Sequence, residues 1–465
     1  PRSGEVYALR DSLLLRIDRA ALLGFVGRYP VAMQAITRVL IHRLRQNLRP
    51  QTAANLPARQ ALAIVPAGPS VAIASFVDRL ERSFRRLGET PELLDAARID
   101  SDLGAGASQL PLTDSVGNSR LIDWLARREA GGHRLLYRAD SEREAWAERC
   151  MRQADRVLVV TDDRTRSIDS AVPAMLRRLH LRTPVELVML RDGSLPNATL
   201  REWTANCDLD SHHHLHPFVD AEHDRLARLL SGRALGLVLG GGGARGFAHI
   251  GLVRALEERA MPVDLIGGTS MGAFFGALLA SGADSRELRR VASETFVQQN
   301  FLNDFVIPRV SLIRGRRFST RLRAIFGEQM IEDLRLGYFC VSTNLTRGAA
   351  VVHRRGPISL WVGTSMAVPG VAPPVVLEST HRKALDHVPL ATLQAQAGDP
   401  RRYAEGALLA VLAVACWTWY PIRNAEWLRA HPDRSPRAWA TAQGVATLPL
   451  ALAGFGLFWA WTAVA

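Results

Sequence analysis

Two successive units of strand, glycine turn and helix occupy residues 234–282, and they restrict what this chain can fold into more than any other feature. Residues 234–239 read as an apolar strand that runs straight into Gly240-Gly241-Gly242-Gly243-Ala244-Arg245-Gly246, after which residues 247–259 have helical periodicity. Glycines are needed where a backbone must bend sharply and present several N–H groups with no Cβ in the way, beside a helix N-terminus that favours negative charge. Such a cradle can hold an anion. Two anions compete for it: a dinucleotide pyrophosphate and the oxyanion of an acyl-transfer intermediate. The Gly241-x-Gly243-x-x-Gly246 spacing does not separate them. A dinucleotide site needs an acidic residue at the tip of the next strand, about 20 residues on, whereas Asp264 stands ahead of Leu265-Ile266, at that strand's start.

The second unit is more specific. Residues 263–266 read as a short strand that ends in Gly267-Gly268-Thr269-Ser270-Met271-Gly272, followed by a helical stretch over 273–281 with Gly282 as its stop. Gly268-x-Ser270-x-Gly272 has the form of a nucleophile elbow, in which the paired glycines let the chain reverse within one step and leave the serine hydroxyl exposed on a strained bend. The competing reading is a tight turn in which Ser270 merely caps the helix. Capping explains neither the flanking glycines nor the cradle one unit upstream. Gly363-Thr364-Ser365-Met366-Ala367 repeats much of the elbow but lacks its final glycine, and Pro369, Pro373 and Pro374 forbid a following helix. Ser365 therefore reads as a structural or substrate-lining residue.

With 465 residues the chain exceeds one ordinary core. Residues 1–50 resemble the closing part of a cyclic-nucleotide-binding domain, with Arg2-Ser3 as a remnant of its phosphate site, a β segment over 5–9 and a helix over 32–46. The rest of such a site is not visible, so no cyclic nucleotide is expected to bind here. A polar linker over 51–60 opens a second α/β unit over 51–230, with buried strands at 61–65, 134–137, 156–160 and 185–190 and an amphipathic helix over 71–87, which suggests a mostly parallel sheet. The run His212-His213-His214-Leu215-His216 reads as a solvated or capping loop rather than a metal site, because adjacent side chains in a regular element cannot converge on one centre. Cys150, Cys207, Cys340 and Cys416 are scattered with no CxxC pair, so neither a disulfide framework nor a zinc site is indicated and a reducing cytosol fits. No basic-then-apolar leader is visible. Lys and Arg number 58 against 45 for Asp and Glu, a net +13 that favours anionic partners. Nucleic acid is excluded from the reading because no basic stripe interleaved with aromatics is present.

Residues 240–251 and 267–272 together resemble the patatin-like phospholipase family, closest to its neuropathy target esterase branch, and the resemblance covers about 231–378, including Ser365-Met366-Ala367-Val368-Pro369-Gly370 and Pro373-Pro374. The resemblance implies a three-layer α/β/α hydrolase core over 231–398 that deacylates phospholipids or lysophospholipids through a Ser–Asp dyad, with no metal and no cofactor. It implies Gly241, Gly242 and Gly243 as oxyanion-hole donors, with Arg245, Gly246, Gly268 and Gly272 in support. In that family the aspartate sits in an Asp-Gly turn after the double proline. Here the corresponding stretch is Asp386-His387, so Asp386 is the candidate partner of Ser270 although the glycine is replaced.

From residue 399 the composition turns apolar: 406–422 and 438–465 hold no charged residue, and Trp417, Trp419, Trp439, Trp459 and Trp461 stand near their ends. Two membrane-spanning helices are the natural reading, with a buried core helix as the alternative for the first. The expected protein is thus a membrane-associated lipid hydrolase with a cytoplasmic catalytic domain. The alternative is a catalytically impaired, membrane-anchored regulatory or binding protein from a truncated or fused gene, which the altered aspartate turn and the atypical tail both suggest.

Overall fold

In the computed structural model, the described residues are 18–29, 61–111, 114–193, 198–299, 304–306, 311–344, 349–368 and 371–375. Arg2 and Ser3, the expected elements at 5–9 and 32–46, Asp386 and the apolar stretches 406–422 and 438–465 lie outside them. Residues 18–29 hold a helix, Arg19–Arg28, that the sequence reading did not assign; the Asp18 carboxylate caps it by accepting from the Ala21 N–H at 2.7 Å. The chain divides into two compact units. The first holds both sheets. The second includes residues 301–318, where the Val306 N–H donates to the Leu312 carbonyl at 3.0 Å.

Six parallel strands form the first sheet: β1 (Leu62–Pro66), β2 (Pro91–Leu94), β3 (Arg134–Arg138), β4 (Arg156–Asp162), β5 (Val185–Leu190) and β6 (Ser211–Leu215), in the order β2-β3-β1-β4-β5-β6. Every residue of β1 and β5 is buried. A parallel sheet covered on both faces by crossover helices demands this, and it explains why these strands appear in the sequence as unbroken aliphatic runs. The Ile73–Arg86 helix buries Phe76, Val77, Leu80 and Phe84 along one stripe and gives way to Gly88, whose φ of 76° no L-residue adopts without strain.

The histidine run is not a solvated loop, as the sequence suggested, but strand β6 itself. Its alternation splits the three rings: the Nε2 atoms of His212 and His214 hydrogen-bond the Glu332 carbonyl at 2.9 and 2.8 Å, while His213 turns the other way to Glu186 at 2.7 Å. The loop expectation failed because the rings of His212 and His214 are packed in and donate to a backbone carbonyl. Burial pushes His212 down to about 4 and His214 down to about 3. Burial also works against the Glu186 carboxylate, but the His213 hydrogen bond and charge, with Arg156, outweigh it and hold the group below its usual range.

The second sheet has the order β10-β9-β8-β7, built from β7 (Gly236–Leu239), β8 (Leu265–Thr269), β9 (Gly337–Asn344) and β10 (Ala349–His353), with β7, β8 and β9 parallel. Strand β8 begins two residues later than expected and carries through both glycines to Thr269, so the bend falls at Ser270 itself. The Met271–Ala280 helix covers one face, where Tyr338 donates its hydroxyl to the Ala273 carbonyl at 2.8 Å. Register places Val238, Gly267 and Phe339 side by side on the opposite face. That face is open among the described residues, with Val238 73% exposed. Parallel sheets with crossover helices are the architecture expected of a three-layer α/β/α hydrolase core.

The segments that carry the two sheets share contacts within the first unit. The Arg228 guanidinium holds both oxygens of the buried Asp264 carboxylate, at 2.9 and 2.6 Å, and Asp264 also accepts the Leu235 N–H at 2.9 Å. Arg335 pairs with Glu222 at 3.2 Å.

The depressed histidine pKa values give a pH dependence of defined sign. Below about pH 6.5 the unfolded chain binds protons at His212 and His214 that the folded chain refuses, so stability is full above that value and drains away as pH falls toward the folded pKa values. We expect a loss on the order of 2 kcal/mol for each ring by about pH 5. Urea unfolding at about pH 7 and about pH 5 measures it, and an equal loss in a His212→Asn, His214→Asn double variant would show that the rings are not its source.

Candidate active site

The site forms where the two glycine units press backbone against backbone. Strand β7 ends at Leu239, and residues 240–242 turn the chain into a short 3₁₀ segment, Gly243–Phe247, that leads into the Ala248–Glu258 helix. Gly242 and Gly243 take φ values of 158° and 55°. Strand β8 ends at Thr269, and Ser270 turns the chain into its helix with φ 52° and ψ −122°. A serine held there costs on the order of 1–3 kcal/mol and persists only when its surroundings enforce it.

The surroundings are glycines with no room to spare. A Cβ on Gly272 would stand 2.0 Å from the Leu239 carbonyl oxygen, one on Gly268 would stand 2.3 Å from the Gly272 oxygen, and one on Gly246 would stand 2.5 Å from the Met271 Cβ. Each of these glycines, picked from the sequence as support, permits a backbone approach that any side chain would block. A Cβ on Gly241 would lie 3.1 Å from the Ser270 Cβ, so the cradle and the serine are immediate neighbours.

Among the described residues the Ser270 hydroxyl has no hydrogen-bond partner, and the N–H groups of Gly241 and Gly242 donate to no acceptor. The Arg245 side chain is exposed and its N–H is used by the Gly242 carbonyl at 3.1 Å. Asp264, the acidic residue weighed for a dinucleotide, is buried at the far end of β8 in its pair with Arg228. It is therefore a structural anchor. The arrangement can place a reacting carbonyl between a hydroxyl and a row of unused amides, which suits acyl transfer.

His249 escaped the sequence reading: its Nε2 contacts the Gly240 carbonyl at 2.9 Å and steadies the turn. Its place in the first turn of the helix that follows the cradle was the available signal. Ser365 accepts the Ser270 N–H at 2.8 Å and donates to the Val341 carbonyl at 2.6 Å.

Residues 237–414 match the family described as patatin-like phospholipase, and residues 59–231 match the Neuropathy Target Esterase family P-loop like domain. The chain thus carries a patatin-like phospholipase domain and, ahead of it, a Neuropathy Target Esterase family P-loop like domain. It is 31% identical to the Neuropathy target esterase sws of Drosophila persimilis, over 80% of this chain and 29% of that protein. It is also 31% identical to the Patatin-like phospholipase domain-containing protein 6 of Homo sapiens, over 81% of this chain and 30% of that protein. The chain thus spans under a third of the length of these relatives.

The glycine contacts predict contrasting effects on stability. Gly272→Ala forces a methyl into a backbone carbonyl and should cost about 3 kcal/mol or more. Gly251→Ala, in a helix with nothing within 4 Å of the new methyl, should be neutral or gain up to about 1 kcal/mol. Denaturant midpoints compare them, and similar midpoints would mean that the close approach is not a constraint.

Proposed function

We propose that this chain is a lipid acyl hydrolase in which Ser270 is the nucleophile and Asp386 its proton acceptor. The Ser270 oxygen attacks the ester carbonyl carbon of a phospholipid or lysophospholipid while its proton passes to the Asp386 carboxylate. The carbonyl π electrons move onto oxygen, and the amides of Gly241, Gly242 and Gly243 stabilise that oxyanion. Collapse breaks the ester C–O bond, and the departing alcohol takes the proton from Asp386. Water then attacks the acyl-serine, gives its proton to Asp386, and releases the fatty acid as the serine is restored. The observation that carries this reading is the strained Ser270, whose hydroxyl has no partner among the described residues, set against cradle amides of Gly241 and Gly242 that donate to none of those residues.

On the same reading the enzyme works at a membrane surface with its hydrolase domain on the cytoplasmic side. The net charge of +13 supports attraction to anionic headgroups. Among the described residues no helix is long and apolar enough to cross a membrane. A second reading, a catalytically impaired membrane-anchored regulatory or binding protein, draws on His387 standing where the family's turn carries glycine.

A fluorophosphonate probe in detergent, together with hydrolysis of phosphatidylcholine and lysophosphatidylcholine, separates the two. We expect the wild type to be labelled at Ser270, and Ser270→Ala and Asp386→Asn each to lose hydrolysis by at least about 1,000-fold. A wild type that takes no label and whose near-zero turnover is unchanged in Asp386→Asn would establish the second reading instead.

A further inference from the structure

Ser365 is the residue that the repeated Gly-Thr-Ser-Met letters single out and that the proposed reaction leaves unused. It lies in the last turn of the Ile358–Met366 helix. A serine in a helix commonly turns its hydroxyl back to the carbonyl four residues earlier. Its neighbour Thr364 does so, donating to the Leu360 carbonyl at 2.8 Å. Ser365 instead reaches out of its helix in two directions, donating to the Val341 carbonyl on β9 at 2.6 Å and accepting the Ser270 N–H at 2.8 Å. One hydroxyl thereby links β9, the Ile358–Met366 helix and the elbow, with its single donor spent on Val341.

The acceptor matters because of where the Ser270 N–H lies. It belongs to the peptide plane between Thr269 and Ser270, and rotation of that plane is what would relax the φ of 52°. The Ser270 carbonyl on the other side is already fixed by the Phe274 N–H at 3.1 Å. With both neighbouring peptides tethered, the Cα–Cβ bond of Ser270 keeps one direction relative to the cradle.

The platform behind Ser365 is rigid. Ile358, Trp361 and Val362 of its helix are fully or almost fully buried, and Trp361 stacks on His353 with ring centres 3.9 Å apart. His353 in turn contacts the Ser342 hydroxyl at 2.6 Å, on the strand that supplies Val341.

We propose that Ser365 is a positioning residue for the nucleophile: its hydroxyl holds the peptide before Ser270 and keeps the elbow in its strained, reactive geometry. This rests on the hydrolase reading above for its catalytic consequence, though not for its structural one. Ser365 touches no reacting atom in this role. Its effect should fall on the chemical step and not on substrate binding.

The test uses the full chain in detergent, with Ser365→Ala and Ser365→Thr. For Ser365→Ala we expect maximal fluorophosphonate labelling and kcat to fall about 10- to 100-fold with KM within about twofold of wild type, and Ser365→Thr to recover to within about threefold. Labelling by Ser365→Ala at the wild-type rate overturns the proposal, as does equal loss in both variants, since the threonine keeps the hydroxyl. Amide hydrogen exchange at Ser270 supplies a readout independent of catalysis. It should quicken by at least about tenfold in Ser365→Ala while amides later in the Met271–Ala280 helix keep their protection. If the wild type neither labels nor turns over, the hydrolase reading fails, and the exchange result alone decides whether Ser365 holds the elbow. Unchanged exchange at Ser270 removes the positioning role.

Discussion

Backbone contact between Gly272 and the Leu239 carbonyl is the constraint from which the rest of the site follows. Two strand ends that meet this closely admit no side chain between them, so the turn after β7 and the bend after β8 must both be glycine-rich. Once they meet, Gly241 lies against Ser270 and Gly246 against Met271, and the cradle faces the serine without any polar side chain being needed to bring them together. The hydrogen bonds around the elbow then keep a conformation that the contact imposes. A serine at φ 52° would relax if either support were removed.

The ion pair of Arg228 with Asp264 acts on the same strand from its other end. A buried carboxylate held by a bidentate guanidinium adds little net stability, since desolvation offsets most of the attraction, but the pair tolerates no change in geometry. Asp264 also exchanges backbone contacts with Leu235, accepting its N–H on the side chain and donating its own N–H to the Leu235 carbonyl at 2.9 Å. The starts of β7 and β8 are thus locked together by charge and their ends by glycine. Because Arg228 comes from the Asp220–Leu230 helix, which precedes β7, the position of β8 is set partly by a residue outside the glycine site.

What the sequence reveals divides along physical lines. Strands β1, β3, β4 and β5 are legible because burial on both faces forces aliphatic runs, and the cradle and elbow are legible because only glycine fits there. Strand β2 is not: Pro91-Glu92-Leu93-Leu94 is an edge strand and only Leu94 is fully buried. Strand β6 misleads outright, since a run of histidines has the composition of a loop, yet it pairs in parallel with β5 while the Glu332 carbonyl accepts from two of its rings. Ser365 was noticed for its repeated letters, but its partners lie 24 and 95 residues away in the chain, and no local pattern encodes a hydrogen bond of that reach.

The layer behind the elbow also settles what kind of electrostatics the site can use. Tyr338, Cys340, Ser342, His353 and Trp361 fill it, and burial keeps each titratable member neutral: the Cys340 thiol is pushed up to about 12, the Tyr338 hydroxyl is raised as well, and His353 is held down to about 4. No charge arises in that layer between about pH 5 and pH 9. On the proposed reading, negative charge developing on a substrate oxygen near Ser270 is therefore met chiefly by fixed backbone dipoles, those of the glycine turn and of the helix that starts at Met271. Dipoles of this kind do not titrate, and a neutral protein layer behind them screens them less than water would. A backbone so tightly packed cannot rotate them away, which gives the glycine contacts an electrostatic role as well as a steric one.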